Sequence, residues 1–80
     1  MDFSDALRVL KDGGRVRRAI WKPGGDRDYG LAHLEIVPVA ALDGREVMPL
    51  LLCSDAASGL LRPFAGSGWD LLAGDWELVP

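Results

Sequence analysis

The chain has 80 residues, of which 49% are hydrophobic and 26% are charged, and its formal net charge is −3. This length fits one domain spanning residues 1–80, and the hydrophobic share excludes a disordered chain. The single cysteine excludes an internal disulfide framework and an all-cysteine metal site, and it fits a reducing, cytoplasmic setting. A domain this small is marginally stable alone, so we expect some apolar surface to contact another copy of the chain.

The charge is unevenly distributed along the chain. Residues 1–27 contain seven Lys/Arg and four Asp/Glu, whereas residues 28–80 contain two and eight. The acidic total argues against binding to duplex nucleic acid, which requires a broad basic face. The asymmetry fits a local site for a small anion, or two halves that attract each other across an interface. The sequence also shows no signal-peptide pattern, and no apolar run approaches the ~20 residues of a membrane span.

The first third of the chain predicts a helix, a strand and a loop. Ser4 is the expected N-cap, and an apolar face with helical spacing predicts the helix. Gly13-Gly14 is expected to end it. Residues 15–21 then predict a strand, and residues 22–30 form a loop rich in turn-forming residues. The residues that give the helix its apolar face are Phe3, Ala6, Leu7 and Leu10.

Three further strands follow. Residues 31–39 predict the second strand, and Asp43-Gly44 marks a turn. Residues 47–53 predict a third strand with apolar residues on both faces, which indicates burial from both sides. Residues 54–59 form a hairpin turn, and residues 60–64 a short fourth strand. Pro63 indicates that this strand lies at an edge or ends there, because proline cannot donate a hydrogen bond to a neighbouring strand.

The last fifteen residues predict a capped helix and a closing strand. Ser67 is the expected N-cap, with Asp70 three residues later as its capping-box partner. Leu71 and Leu72 are predicted to form an apolar face that helps to hold the fold, and Gly74 is the expected left-handed C-cap. Residues 75–79 alternate polar and apolar side chains, as a half-buried strand does. The whole chain therefore predicts an α+β domain: a mostly antiparallel sheet of about five strands, an N-terminal helix and a short helix before the last strand.

The residue types that support catalysis or metal binding are few. His33 and Cys53 are the only histidine and thiol, and they could form a base–nucleophile pair if the second and third strands are neighbours. The structural interpretation is a solvated histidine and a buried small hydrophobe. Asp26 and Asp28 lie close together, but a pair of aspartates in a glycine-rich loop also fits a solvated turn. We therefore expect no catalytic residue, no metal and no cofactor.

A small phosphorylated ligand has more support. Gly66-Ser67-Gly68 at a helix start offers backbone N–H groups to an anion, although Asp70 in the same turn would repel it. Asp70 could instead accept a hydrogen bond from a ribose or base, while arginines bind the phosphates. A solvated strand face and a simple helix cap are the structural alternatives. The candidate arginines are Arg15, Arg17, Arg18 and Arg62.

The three tryptophans divide by position. Trp76 lies in the alternating last strand and is predicted to be a core residue. Trp21 ends the first strand beside a Pro-Gly-Gly loop, and Trp69 opens the second helix beside glycines. Both are therefore expected at a rim, where an aromatic face can stack on a base or contact another subunit.

Several segments resemble a known family. The N-terminal part carries Phe3-Ser-Asp-Ala-Leu, the Gly13-Gly14 pair and Val16-x-Arg-x-x-Trp21. The second half carries Pro49-Leu-Leu-Leu, the Asp55–Gly59 turn, Pro63-Phe64 and a run from Asp70 to Val79. Together they resemble the second type of Thoeris anti-defence protein, a small domain family of phages and bacteria. The resemblance covers nearly the whole chain.

The resemblance implies a homotetramer, a dimer of dimers, with pockets between subunits. It implies a sponge that sequesters cyclic ADP-ribose signals without cleaving them and thereby inhibits anti-phage defence in the host cytoplasm; some members also bind cyclic dinucleotides. By resemblance, Trp21, Asp70 and the Pro63-Phe64 step line or support the pocket. The chain departs from the family pattern at several positions, including Lys22, Gly68 and Trp69. With the arginine and tryptophan candidates, the predicted ligand-binding set is Trp21, Arg18, Arg62, Phe64, Trp69 and Asp70.

Two alternatives to the sponge stay open. The chain could be a structural or protein-interaction module with no small ligand, whose aromatic residues serve only its assembly. It could also be a small nucleotide hydrolase that uses His33, although nucleophile and base candidates are few.

Overall fold

The computed structural model describes residues 1–21, 30–37 and 49–80. These residues form two α-helices, a 3₁₀ turn and five strands, which confirms the predicted α+β class. In chain order the elements are α1 (Phe3–Lys11), β1 (Val16–Arg18), the 3₁₀ turn (Ala19–Trp21), β2 (Leu31–Val37), β3 (Leu50–Asp55), β4 (Leu61–Pro63), α2 (Gly68–Leu71) and β5 (Trp76–Leu78).

The five strands form one antiparallel sheet in the order β4-β3-β2-β1-β5. The last strand therefore returns to pair with the first, and Arg18 lies opposite Trp76. Strand β4 forms one edge, so the edge position predicted from Pro63 is confirmed. This order brings α2, which immediately precedes β5, to the β1 side of the sheet.

Helix α1 packs on the sheet through its predicted apolar face, with Ala6 and Leu10 buried. The predicted N-cap was wrong: Asp2, not Ser4, caps the helix and accepts a hydrogen bond from the Asp5 N–H at 2.9 Å. Aspartate and serine are both good N-caps, and a long-range contact accompanies the use of Asp2. The Trp76 N–H donates to the Met1 carbonyl, which holds the chain against β5 just before Asp2.

The helix ends where the paired glycines predict. Gly13 has φ +89, a left-handed conformation that glycine adopts without steric cost. The Gly14 N–H donates to the Val9 carbonyl at 2.9 Å. A side chain at position 14 would also collide with Val9, whose Cγ1 would lie 2.6 Å from the added Cβ.

The core is built around Trp76, which is 1% exposed, so its prediction as a core residue is confirmed. The Phe3 ring lies 5.2 Å from the Trp76 ring, and the Trp21 ring packs edge-on at 5.4 Å. Phe3 is thus the first residue of α1 and packs against the core, whereas with Ser4 as the N-cap it would have preceded the helix. The other buried apolar residues are Ala6, Leu10, Val16, Leu34 and Cys53.

Several strand limits differ from prediction. The first strand stops at Arg18 because residues 19–21 turn into the 3₁₀ conformation. The third strand begins at Leu50 and continues to Asp55. The side chain of Asp55 accepts hydrogen bonds from the Ala57 and Ser58 N–H groups, and the turn begins after Asp55, two residues later than predicted. Parts of the prediction lie outside the described residues. They are residues 22–29 of the predicted loop, the turn at residues 43–44, and residues 38–39 and 47–48 of the predicted strands.

The segment after α2 also differs from prediction. The helix ends at Leu71, its C-cap Leu72 has a right-handed conformation, and Gly74 is not among the glycines with positive φ. Leu72 is 90% exposed and Leu71 is also exposed, so neither helps to hold the fold. A four-residue helix is a single turn and buries no continuous face, which is why the apolar pair does not reach the core. Neither described helix has the length and apolar character needed to cross a membrane.

Candidate functional site

An open concavity lies where α2, the segment before β5 and the end of β1 meet. Its volume is about 450 Å³. Two of the predicted site residues, Arg18 and Trp69, lie in its wall. The full lining is Arg18, Trp69, Leu72, Ala73, Gly74 and Asp75.

Helix α2 is held so that Trp69 faces outward. The Ser67 hydroxyl accepts from the Asp70 N–H and donates to the Asp70 carboxylate, both at 3.3 Å, which confirms the predicted cap. The Asp70 carbonyl accepts a hydrogen bond from the buried Trp76 indole N–H at 3.0 Å. These bonds fix the inner side of the turn to the core, and Trp69 on the other side is 80% exposed.

Arg18 forms the floor of this region and is only 6% exposed. Its Nη1 donates to the Asp70 carboxylate at 2.6 Å, and its Nε donates to the Asp75 carboxylate. Burial lowers the pKa of Arg18, but hydrogen bonds and charge from Asp75 and Asp70 outweigh this effect and raise the pKa overall. The guanidinium is therefore permanently charged and joins β1 to α2 and to the residue just before β5.

The other aromatic candidates lie in the core. Trp21 was predicted at a rim, and this was wrong: it is 7% exposed because the 3₁₀ turn directs it inward against Trp76. Phe64 is half-buried and packs edge-on against Trp21, with ring centroids 6.4 Å apart. Neither residue lines the concavity: Trp21 packs against Trp76, and Phe64 packs against Trp21.

The remaining arginines lie away from the concavity. Arg62 is on β4, at the opposite side of the sheet from β5. Three strand spacings separate β4 from β1, roughly 14 Å, so a single chain does not bring Arg62 to Arg18. Arg17 pairs with Glu77 at 2.9 Å, and Arg15 lies 3.6 Å from Glu35.

The predicted anion cradle lies at the start of α2, where two later N–H groups of the first turn are bound by the helix itself. The Asp70 N–H is bound by Ser67 Oγ, and the Leu71 N–H by the Ser67 carbonyl. The Asp70 carboxylate also faces the same turn. Its negative charge would repel a phosphate there.

The concavity and sheet belong to a chain that matches a known domain family along nearly its whole length. The sequence profile of the Thoeris anti-defense 2-like domain covers residues 1–79. The chain belongs to this family. The resemblance given by the sequence motifs is thereby confirmed, and membership supports an anti-defence role. A comparison with curated proteins found no significant match.

In this anti-defence domain the base–nucleophile pair that His33 and Cys53 could have formed is not present. Strand pairing places Cys53 opposite Leu34, and His33 opposite Ser54. Because side chains alternate along a strand, His33 and Cys53 face opposite sides of the sheet. Cys53 is buried, as its alternative interpretation predicted. His33 is not solvated, because its Nε2 is buried 3.6 Å from a Glu35 oxygen without a hydrogen bond.

The described residues of the domain contain no group of three or more His, Cys, Asp or Glu that could hold a metal ion. Asp26 and Asp28 lie outside those residues. Sequence reasoning missed Asp75, which both lines the concavity and binds Arg18. A signal was present: Arg18 is two residues after the buried Val16, so alternation directs it to the buried face. A buried arginine there requires carboxylate partners.

Proposed function

We propose that this anti-defence domain is a non-catalytic sponge for a cyclic nucleotide immune signal. Its ligand is a cyclic ADP-ribose isomer, with cyclic dinucleotides as further candidates. The domain binds the signal in the cytoplasm of the infected cell and withholds it from the Thoeris defence system.

The observation that carries the proposal is the concavity beside Trp69, in a chain of an anti-defence family. Its volume of about 450 Å³ falls within the roughly 300–1,000 Å³ range of small-molecule sites. The tryptophan offers an aromatic face to a base, and the neighbouring Asp75 offers hydrogen-bond acceptors. Family membership supplies the biological context in which a nucleotide is the expected ligand.

The concavity of one chain is open on one side, whereas ligand sites bury most of the ligand surface. We therefore propose that another copy of the chain closes it, in a homotetramer built as a dimer of dimers. Exposed apolar residues near the concavity and on β5 would be covered in such an assembly. They include Leu71, Leu72 and Leu78.

Non-catalytic binding fits the composition of the concavity. Its charged groups, Arg18 and Asp75, bind each other and not a nucleophile. His33 and Cys53 lie on opposite faces of the sheet and cannot act as a pair. A sponge requires only a stable complex, so the arrangement is sufficient for the proposed role.

Native mass spectrometry tests the proposal directly. The protein is incubated with cyclic ADP-ribose isomers and cyclic dinucleotides, and the subunit count and bound mass are measured together. The ligand is then released by heat and identified by liquid chromatography. We expect a bound mass equal to an intact cyclic nucleotide and recovery of the same compound after release.

Two results would contradict the sponge. Recovery of a hydrolysed nucleotide would show turnover. The substitution H33A would then be assayed for loss of that turnover. Absence of bound mass with every nucleotide would favour a protein-interaction module. The specific observation behind that second function is the contiguous exposed group Trp69, Leu71 and Leu72, which is typical of a protein contact.

A further inference from the structure

We infer that the concavity binds the base end of the nucleotide, an amino-bearing ring stacked on Trp69, and leaves the phosphates outside. This inference rests on the proposed function and specifies which part of the ligand the chain recognises. Three features of the concavity carry it: its exposed aromatic face, its balance of charge and its acceptor-only carboxylate.

The aromatic and apolar wall suits a flat ring. Trp69 is the most exposed aromatic residue described, and no other described aromatic ring packs against it. Leu72 and Ala73 extend the wall with apolar surface. A base stacked on such a face removes apolar area from water on both partners.

The charges of the concavity disfavour a phosphate. Arg18 provides one positive charge, and both Asp70 and Asp75 bind it, so the three groups sum to −1. Two N–H groups of the guanidinium are already directed at these carboxylates. A phosphate that approached Arg18 would meet two negative charges for one positive charge, and like charges repel strongly at such short range.

The carboxylate favours one kind of ring substituent. Asp75 lies in the wall of the concavity, and its side chain is one-third exposed. A carboxylate accepts hydrogen bonds and donates none. It therefore favours a ring with an N–H donor at this place, such as the exocyclic amino group of adenine, over a purine ring that has no N–H donor there.

A ligand-fragment experiment tests this assignment. The indole N–H resonances of the intact protein are followed by NMR during titration with adenosine, purine riboside and inorganic pyrophosphate, and the Trp69 signal is assigned with W69F. We expect adenosine to shift the Trp69 signal, purine riboside, which lacks the amino group, to bind at least several-fold more weakly and pyrophosphate to leave the signal unchanged. A shift with pyrophosphate, or equal binding of the two nucleosides, would overturn the inference.

Variants provide a second test with the cyclic nucleotide that native mass spectrometry identifies. W69A is expected to weaken its binding on the order of tenfold or more, because a stacking platform is lost. D75N is expected to reduce the preference for adenosine over purine riboside. E77Q is the matched control: it removes the same charge two residues away, on β5, but Glu77 pairs with Arg17 outside the concavity, so the preference should remain.

The outcomes separate the inference from the proposed function. A cyclic nucleotide that binds normally to W69A would overturn the inference and leave the sponge intact. A changed subunit count for W69A would identify Trp69 as a contact between copies and would also overturn it. Adenosine binding at Trp69 without binding of any cyclic nucleotide would overturn the sponge and support the base site.

Discussion

Replacing Arg18 with methionine tests whether the buried ion cluster holds the concavity together. The guanidinium is 6% exposed and binds two carboxylates, on Asp70 and Asp75. Methionine has a similar length but no charge and no donor. In R18M two carboxylates would face each other without a cation, and the link from β1 to α2 and to the residue just before β5 would be lost.

The expected loss is about 3 kcal/mol in the free energy of unfolding. Removing one partner from a buried ion pair costs about 3–5 kcal/mol. We take the lower end because the side chains of Asp70 and Asp75 are 22% and 33% exposed and can be rehydrated. An 80-residue domain has a total stability of about 4–12 kcal/mol. The loss would lower Tm by roughly 12–24 °C.

Thermal and urea unfolding, followed by tryptophan fluorescence and circular dichroism, would measure this loss at one fixed protein concentration. R17M is the matched control: Arg17 is the neighbouring residue, but its pair with Glu77 is about a quarter exposed on each side. Such a pair contributes about 0.2–1 kcal/mol. If R18M and R17M lost the same small amount, the argument that the buried cluster stabilises this region would be refuted.

Three further changes test other parts of the fold. W76F should destabilise the domain by about 2–4 kcal/mol in urea unfolding, because it leaves a cavity and removes the indole hydrogen bond to the Asp70 carbonyl; an unchanged midpoint would contradict the core assignment. D55A should weaken the pH dependence of stability. Backbone hydrogen bonds from Ser58 and Ala57 lower the pKa of Asp55 from 3.8, so its contribution is present above pH 3.8 and is lost as the pH falls through the lowered value. An equal loss of stability at acid pH in D55A and in the wild type would contradict this. G13A should cost about 1–2 kcal/mol in thermal unfolding, because position 13 has φ +89; a neutral result would mean that the helix end rearranges.

Much of the fold was predictable from local pattern. The apolar spacing of Ala6 and Leu10 gave the first helix, and both residues are buried. Pro63 gave the edge strand, and alternation around Trp76 gave the closing strand. These predictions succeeded because each depends on periodicity or on the missing proline N–H, and both act within a few residues.

The two rim tryptophans show where local reasoning reaches its limit. Trp21 and Trp69 both stand at the end of a predicted element beside glycines, and their neighbours do not distinguish them. The 3₁₀ turn directs Trp21 toward Trp76, whereas the capped turn of α2 directs Trp69 outward. Which direction each takes depends on the return of β5 to pair with β1, a contact between residues about sixty positions apart.

The pairing of β5 with β1 also explains why some residues beside the concavity belong to the buried cluster around Arg18, whereas Trp69 does not. Trp76 and Asp75 arrive beside Arg18 because β5 pairs with β1, and Asp70 is drawn in through its carbonyl and its carboxylate. The buried cluster therefore fixes the inner side of α2, and Trp69 on its outer side makes no contribution to that cluster. A substitution at position 69 can change what the concavity binds without removing a core contact, whereas one at Arg18 affects the fold first. Ligand preference and stability are thus separable at neighbouring positions, and W69A should keep its Tm within a few degrees of the wild type while its binding is weakened.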